Sequence, residues 1–521
     1  MATIVLSSVG AAVGGSIGGS VLGISSAALG RFAGAVIGRS IDQRLLGQGS
    51  DVVETGRVDR LRLTGAGEGD AVAQIYGRMR VSGQVIWSTE FREDVTTSGG
   101  RRGGKGAPKP PTPKQRNFSY SVSLAIALCE GEITHVGRVW ADGSEIAPDS
   151  LNMRVYPGTM DQLPDPKMEA IEGPGQVPAY RGTAYVVIED LDMAAFGNRV
   201  PQFTFEVTRP SQPFQQDYEL DPAHGIRAVA LLPGSGEYAL ATTPVNINFG
   251  FGTGGLANVN SPSAKADFAT ALDNLTGEIP GCRGASLVVS WFGDDLRSNV
   301  ATIRPKLEQN QFDSSNMPWQ VAGLTRQSAQ LVARDADNRP IYGGTPADVS
   351  VIEAILALQQ SGKDVMYYPF ILMEQMANNG LPDPYSDAQD QAILPWRGRI
   401  TLSKAPGQPG STDGTAGADA EIAAFFGTAQ ASDFIIGPVN PVPDPNAPTN
   451  GAIELLSFGG AVKQSPITYT GPAEWGYRRF ILHQAALCAA VGGVESFCIG
   501  SEMRGLTQIR GRITASRLSP R

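Results

Sequence analysis

The pattern of apolar residues changes near Pro210, and that change limits the possible folds more than any other feature of the chain. Between Asp51 and Pro210 the runs are short and alternate apolar with polar residues, as in GRVDRLRLTG, FSYSVSLAIALCEG and PQFTFEVTRP. Alternation of this kind belongs to half-buried strands. Two β-rich runs in AQIYGRMRVSGQVIWSTEF are separated by Ser82-Gly83, which predicts a hairpin, and Asp142-Gly143 predicts a turn between two further strands. After Pro210 the rhythm lengthens. Ser263 is placed to cap a helix carrying Phe268, Leu272 and Leu275 on one face. Thr345-Pro346 opens a second helix that Gly362 closes, and AEWGYRRFILHQAALCAAVGG reads as a third. Between them, SLVVSW, DVMYYPFILM and VESFCIGSE are continuous apolar runs suited to strands covered on both faces. Strands alternating with helices imply a parallel sheet, open or closed into a barrel.

The chain begins differently from either half. Residues 1–30 carry no charged side chain, and small residues recur at four-residue spacing in two rows: Gly10, Gly14 and Gly18, then Gly15, Gly19 and Gly23. Such rows let apolar helices approach closely. Two readings stay open: a Gly/Ala-rich helix packed within an oligomer, or a segment that enters a membrane at some stage. A secretory signal is disfavoured, because no positive region precedes the apolar stretch.

Composition excludes several functions. A net charge of −9 does not supply the concentrated positive charge that general nucleic-acid binding needs. The one basic run, SGGRRGGKGAPKPPTPKQR, is too rich in Gly and Pro to pack a core and reads as a solvated loop. Four separated cysteines do not make a disulfide scaffold, and three scattered histidines give no metal site. No cofactor is expected. At about 150 residues per domain, 521 residues suggest three or four units.

Strand-end carboxylates are the candidates for chemistry, because parallel barrels react at the C-terminal ends of their strands. Those positions hold Asp294 and Asp295 after Trp291-Phe292-Gly293, Glu374 after Met373, and Glu502 after Ser501. Glycoside hydrolysis needs a pair of such groups. Glu502 is the candidate acid/base; Trp291, Asp294, Asp295 and Glu374 are candidates for glycan contact, although the three carboxylates also suit caps or other structural roles.

Four blocks in order carry a resemblance. Tyr76-Gly77-Arg78 with Val85-Ile86-Trp87, then Ala127-Leu128-Cys129-Glu130-Gly131-Glu132-Ile133, then Arg138-Val139-Trp140-Ala141-Asp142-Gly143, and last Phe196-Gly197-Asn198-Arg199 with Thr204-Phe205-Glu206-Val207, resemble the tail-tip and hub proteins of long-tailed phages. Further on, Trp475-Gly476-Tyr477-Arg478-Arg479 and Phe497-Cys498-Ile499-Gly500-Ser501-Glu502 with Arg504-Gly505-Leu506-Thr507 resemble the TIM-barrel-like domain of gene transfer agents, within the family of their large baseplate proteins. Gly500-Ser501-Glu502 is also similar to the Asn-Glu strand end of TIM-barrel glycoside hydrolases, with Ser501 in place of Asn.

The resemblance implies a multidomain α+β protein: a Gly-rich helical segment over 1–48, a β-rich tail-hub domain over 49–215, and a partial TIM-barrel-like domain over 216–521. It implies a homotrimeric hub of the virion's tail baseplate, assembled in the bacterial cytoplasm. The implied partners are other tail proteins, a host-envelope glycan or receptor, a membrane in passing, and DNA translocated without sequence-specific binding. Only three or four buried strands are counted where closure takes eight. The end, GRITASRLSPR, loses the apolar rhythm, and a shifted reading frame of it resembles a helix start. A frameshift near Gly511 is therefore expected to remove the second carboxylate, and with it hydrolysis by the paired route.

Overall fold

The computed structural model describes residues 70–98, 115–211, 221–232, 236–250, 252–439 and 462–512, with isolated strand pieces at Ser20–Val21, Ile24–Ser25 and Val53–Thr55. The six glycines of the N-terminal rows lie outside the described residues. Within 1–48 the only described pieces are Ser20–Val21 and Ile24–Ser25, which pair antiparallel, so a helix running through 20–25 is not what is found there. Among the described residues no helix is long and apolar enough to cross a membrane.

The β-rich region contains β1 (Gly77–Ser82), β2 (Gln84–Ser88), β3 (Arg92–Ser98), β4 (Gln115–Glu130), β5 (His135–Ala141), β6 (Ser144–Ile146), β7 (Met153–Tyr156), helix α1 (Pro166–Glu172), β8 (Thr183–Asp192) and β9 (Phe203–Arg209). One sheet runs β7-β8-β4, with β2 and β3 also paired to β4; the other runs β1-β9-β5-β6. Between them pack Phe118, Tyr120, Val122, Leu124, Ile126 and Leu128 of β4 against Val139, Phe203, Phe205 and Val207. The opposite face of β4 is covered too, with Ala125 joining Met168 of α1, Tyr185 and Val187 in a second cluster. The alternating pattern of β4 predicted one wet face. Both are buried instead, and Ser123 is accommodated because its hydroxyl accepts from the Asp190 backbone N–H at 2.9 Å.

The hairpin expected at Ser82-Gly83 does not form. β1 pairs with β9 and β2 with β4, so the chain passes from one sheet to the other at Gly83. A Cβ there would collide with Ile126 and lie 3.1 Å from the Ala127 carbonyl oxygen. Glycine is needed for close approach at a sheet corner, and the turn reading mistook that need. At Asp142-Gly143 the predicted turn is present, with φ of 51° and 85° joining β5 to β6.

The second region holds β10 (Ala228–Leu231), α2 (Asp267–Glu278), β11 (Gly284–Gly293), α3 (Asp348–Gln360), β12 (Asp364–Met373), α4 (Ala416–Phe426), α5 (Tyr477–Ala490), β13 (Ser496–Phe497) and α6 (Arg504–Gln508). The parallel sheet runs β10-β11-β12-β13 in chain order. Strands following one another without a reversal belong to a singly wound, barrel-like arrangement, since doubly wound sheets reverse at a switch point. Side chains of β11 and β12 on one face, Leu287, Val289, Val365 and Tyr367, pack with Leu272, Val351, Ile355 and Leu487 from α2, α3 and α5. The opposite face is only partly covered; Met366 is 40% exposed.

Several expectations here need correction. The sequence reading missed β10. Helix α2 starts at Asp267 rather than after Ser263, whose hydroxyl bonds Thr270 instead of capping the helix. Pro346 lies outside the first turn of α3, although Gly362 does follow its end with φ +72°. The run 494–502 is a strand only at Ser496–Phe497, and Ile499 is 71% exposed. At the edge of the described sheet, no further strand covers that run.

Long segments, 232–266, 294–347 and 374–476, follow the C-terminal ends of β10, β11 and β12. Buried polar groups tie them down. Glu353 on α3 accepts the backbone N–H groups of Thr242 and Thr243 at 2.9 Å each and pairs with Lys463 at 2.6 Å. Helix α2 also docks on the β-rich region: His135 Nε2 is 3.2 Å from Asn274 Oδ1, and Arg78 pairs with Glu278 at 3.1 Å.

Candidate functional site

The motif Trp475–Arg479 shapes the start of α5 through packing. A Cβ on Gly476 would lie 2.7 Å from the Phe426 carbonyl oxygen, so glycine lets α5 abut the end of α4. Tyr477 stacks on Phe425 with ring centroids 5.4 Å apart. The Arg479 guanidinium lies between Trp475 and Tyr469, 3.6 and 3.9 Å from their ring centroids, and donates to the carbonyls of Glu474 and Ala322. Burial pushes its pKa down to about 10.

Trp291 is wholly buried, against Phe480 and His483 at centroid distances of 5.2 and 5.5 Å, and presents no surface to a glycan. Its position on β11 points toward the helices rather than the open face. Asp294 is engaged by the backbone N–H and hydroxyl of Thr302 at 2.7 and 2.6 Å. Asp295, 5% exposed, accepts from Arg297 through both oxygens and from Gln391 at 2.7 Å. Glu374 pairs with Lys306 through one oxygen and accepts the Ala333 N–H at 3.0 Å through the other. Each of the three fixes a loop to a strand end.

Glu502 differs. It sits just before α6 with φ +57°, a conformation that costs a non-glycine residue roughly 1 kcal/mol or more. Its Oε2 accepts the indole N–H of Trp396 at 2.7 Å and pairs with the Arg397 guanidinium at 2.9 Å. Arg397 is 7% exposed, stacks 3.6 Å above the centroid of Phe370 on β12, and donates to the Ser501 carbonyl at 3.3 Å. The Tyr368 hydroxyl bonds the Ser501 hydroxyl, which ties the segment to the inner side of β12. A Cβ on Gly398 would lie 2.6 Å from the Glu502 carbonyl oxygen, so this glycine permits the backbone contact. Trp396 and Arg397 escaped the sequence reading because they are remote from Glu502 in the chain and lie in a loop without periodicity.

Burial pushes the thiol of Cys129 up to about 11 and that of Cys488 up to about 12, so neither is a thiolate near neutral pH. Among the described residues no group of His, Cys, Asp and Glu could hold a metal ion.

Comparison with known proteins finds likeness to gene transfer agents. Residues 475–517 match the GTA TIM-barrel-like domain family. A solved chain titled "Virion of native gene transfer agent (GTA) particle" is 56% identical to this one. The match covers 44% of each chain with a TM-score of 0.27, so the chain matches less than half the length of that protein. No curated protein matches. The sequence resemblance to gene transfer agents is thus borne out, and the chain is a mixed α+β protein with a TIM-barrel-like domain near its C-terminus.

Proposed function

We propose that this chain is a structural protein of a gene transfer agent's phage-like virion, acting as the hub of the tail baseplate. The observation that carries the reading is the match of residues 475–517 to the GTA TIM-barrel-like domain, on a segment whose motif residues shape the start of α5. The β-rich region supports it by its architecture: two packed sheets whose short edge strands, β1 and β6, can extend pairing to neighbouring subunits. The virion would hold the protein as a homotrimer at the tail tip, after assembly in the bacterial cytoplasm, beside other tail proteins and around translocating DNA. The rim of the parallel sheet would face the host envelope and its glycans, and the N-terminal glycine rows would pack at the axis or enter the membrane on delivery.

A hydrolytic role is the weaker reading, since the other strand-end carboxylates are engaged as loop anchors and Glu502 faces a cation and an indole N–H. The direct test is imaging of particles carrying an epitope tag on this chain. Label at the tail tip supports the assignment; label on the capsid, or particles lacking the protein, overturns it.

A further inference from the structure

This inference rests on the reading of the sheet rim as the envelope-facing part of the protein. Of the four candidate carboxylates, Asp294, Asp295 and Glu374 have both oxygens taken by protein donors. Only Glu502 keeps an oxygen, Oε1, with no partner among the described residues, and its side chain is 52% exposed. Two groups set the direction of that oxygen. The Trp396 N–H and the Arg397 guanidinium both address Oε2, while the strained backbone at Glu502 is held by the close contact at Gly398.

The surroundings select the ligand. Trp396 is 45% exposed, and Ile393, Leu394 and Ile499 in the neighbouring segments are exposed as well. An exposed indole beside a fixed carboxylate oxygen offers an apolar platform and a hydrogen-bond acceptor together. A pyranose ring has the matching pair of features, a C–H face and hydroxyl donors on its edge. An anionic sugar is disfavoured. Arg397, the cation paired with Glu502, is buried and committed to Glu502, the Ser501 carbonyl and the Phe370 ring, and the open carboxylate oxygen of Glu502 repels an anionic group.

We propose that Trp396 and Glu502 Oε1 form a binding subsite for a neutral pyranose unit of an envelope polysaccharide, with Arg397 as the positioning residue. The sugar stacks on Trp396, donates a hydroxyl hydrogen to Glu502, and is held without bond cleavage.

The test uses the full chain on an array of purified bacterial surface polysaccharides, neutral and acidic, followed by titration of the best-bound neutral polymer. Trp396→Ala weakens binding about tenfold or more, and Trp396→Phe weakens it less because the ring remains. Glu502→Gln keeps a side-chain acceptor and loses only a few-fold, whereas Glu502→Ala loses about tenfold. At a temperature where its near-UV spectrum still matches the parent's, Arg397→Lys abolishes the ligand-induced change in tryptophan fluorescence, a change that Trp396→Phe assigns to Trp396 and that a purely structural arginine would not affect. The subsite is overturned if no neutral polysaccharide binds, if Trp396→Ala binds as the parent does, or if only acidic polymers bind. It is equally overturned if reducing ends are released by the parent and not by Glu502→Gln. Tail-tip label in the imaging experiment together with no sugar binding removes the subsite alone and leaves the virion assignment standing.

Discussion

Strands β4 and β12 run through the middle of their sheets, yet they meet different surroundings. β4 is covered by the second sheet on one face and by the cluster around α1 on the other. β12 has helices on one face, while Met366, Tyr368 and Phe370 on the other remain partly exposed. The β-rich region is thus closed around its central strand. The β/α region keeps a face and a rim open, and Glu502, whose Oε1 has no partner among the described residues, sits beyond the end of β13 on that rim. The difference teaches that the closed and the open parts of the molecule divide along the chain at the change in periodicity near Pro210.

The largest effects should come from the closed side of this comparison. Phe205→Ala empties a fully buried position between the two sheets and is expected to cost about 3–5 kcal/mol, read by chemical denaturation. A loss below about 1 kcal/mol would mean that the sandwich core is not packed as described. Next is Gly83→Ala. The added methyl meets Ile126 at the sheet corner and should cost roughly 1–3 kcal/mol, with Ile126→Val relieving part of it.

A smaller effect follows from charge. Arg138 and, behind it, Arg78 hold the Glu206 carboxyl at about 2, below its ordinary value of 4.5, despite its burial. A depressed carboxyl pKa stabilises the fold above the unfolded value, and that contribution is lost as pH falls from about 4.5 through about 2. Both arginines are half exposed, so roughly 1–2 kcal/mol is expected over that window. Glu206→Gln should flatten this part of the stability curve; an unchanged acid limb would break the assignment. The least effect is expected on the open side. Met366→Ala should change stability by no more than about 1 kcal/mol, against about 3–5 kcal/mol for Tyr367→Ala one residue along on the helix side. Equal losses would show that the open face is covered in solution.

Much of the β/α region was legible in its sequence. DVMYYPFILM spans β12 to the residue, and Gly362 marks the end of α3 because its left-handed backbone favours glycine. Strand β10 was missed because four residues give no periodicity. Gly83 was misread because a turn and a sheet crossing both call for glycine, and only the pairing of β1 with β9 tells them apart. At the candidate site Glu502 was legible as a candidate carboxylate, although the strand expected to lead into it stops at Phe497, whereas Trp396 and Arg397 were not legible: the contact joins positions more than a hundred residues apart. Trp291 shows the opposite failure. Its place near a strand end was read correctly, but the face it occupies was not.

By itself the sequence determined the kinds of element and their order, because apolar periodicity and Gly or Pro at boundaries are local properties of the chain. It also carried the likeness to gene transfer agent proteins through short blocks of residues in order. Tertiary structure decided which faces were covered, which strands paired, and which carboxylates were already occupied by the protein's own donors. Those outcomes depend on segments far apart in sequence meeting in space. The free oxygen of Glu502 beside Trp396 is such an outcome, fixed only when the loop carrying Trp396 and Arg397 folds back on the segment that follows β13.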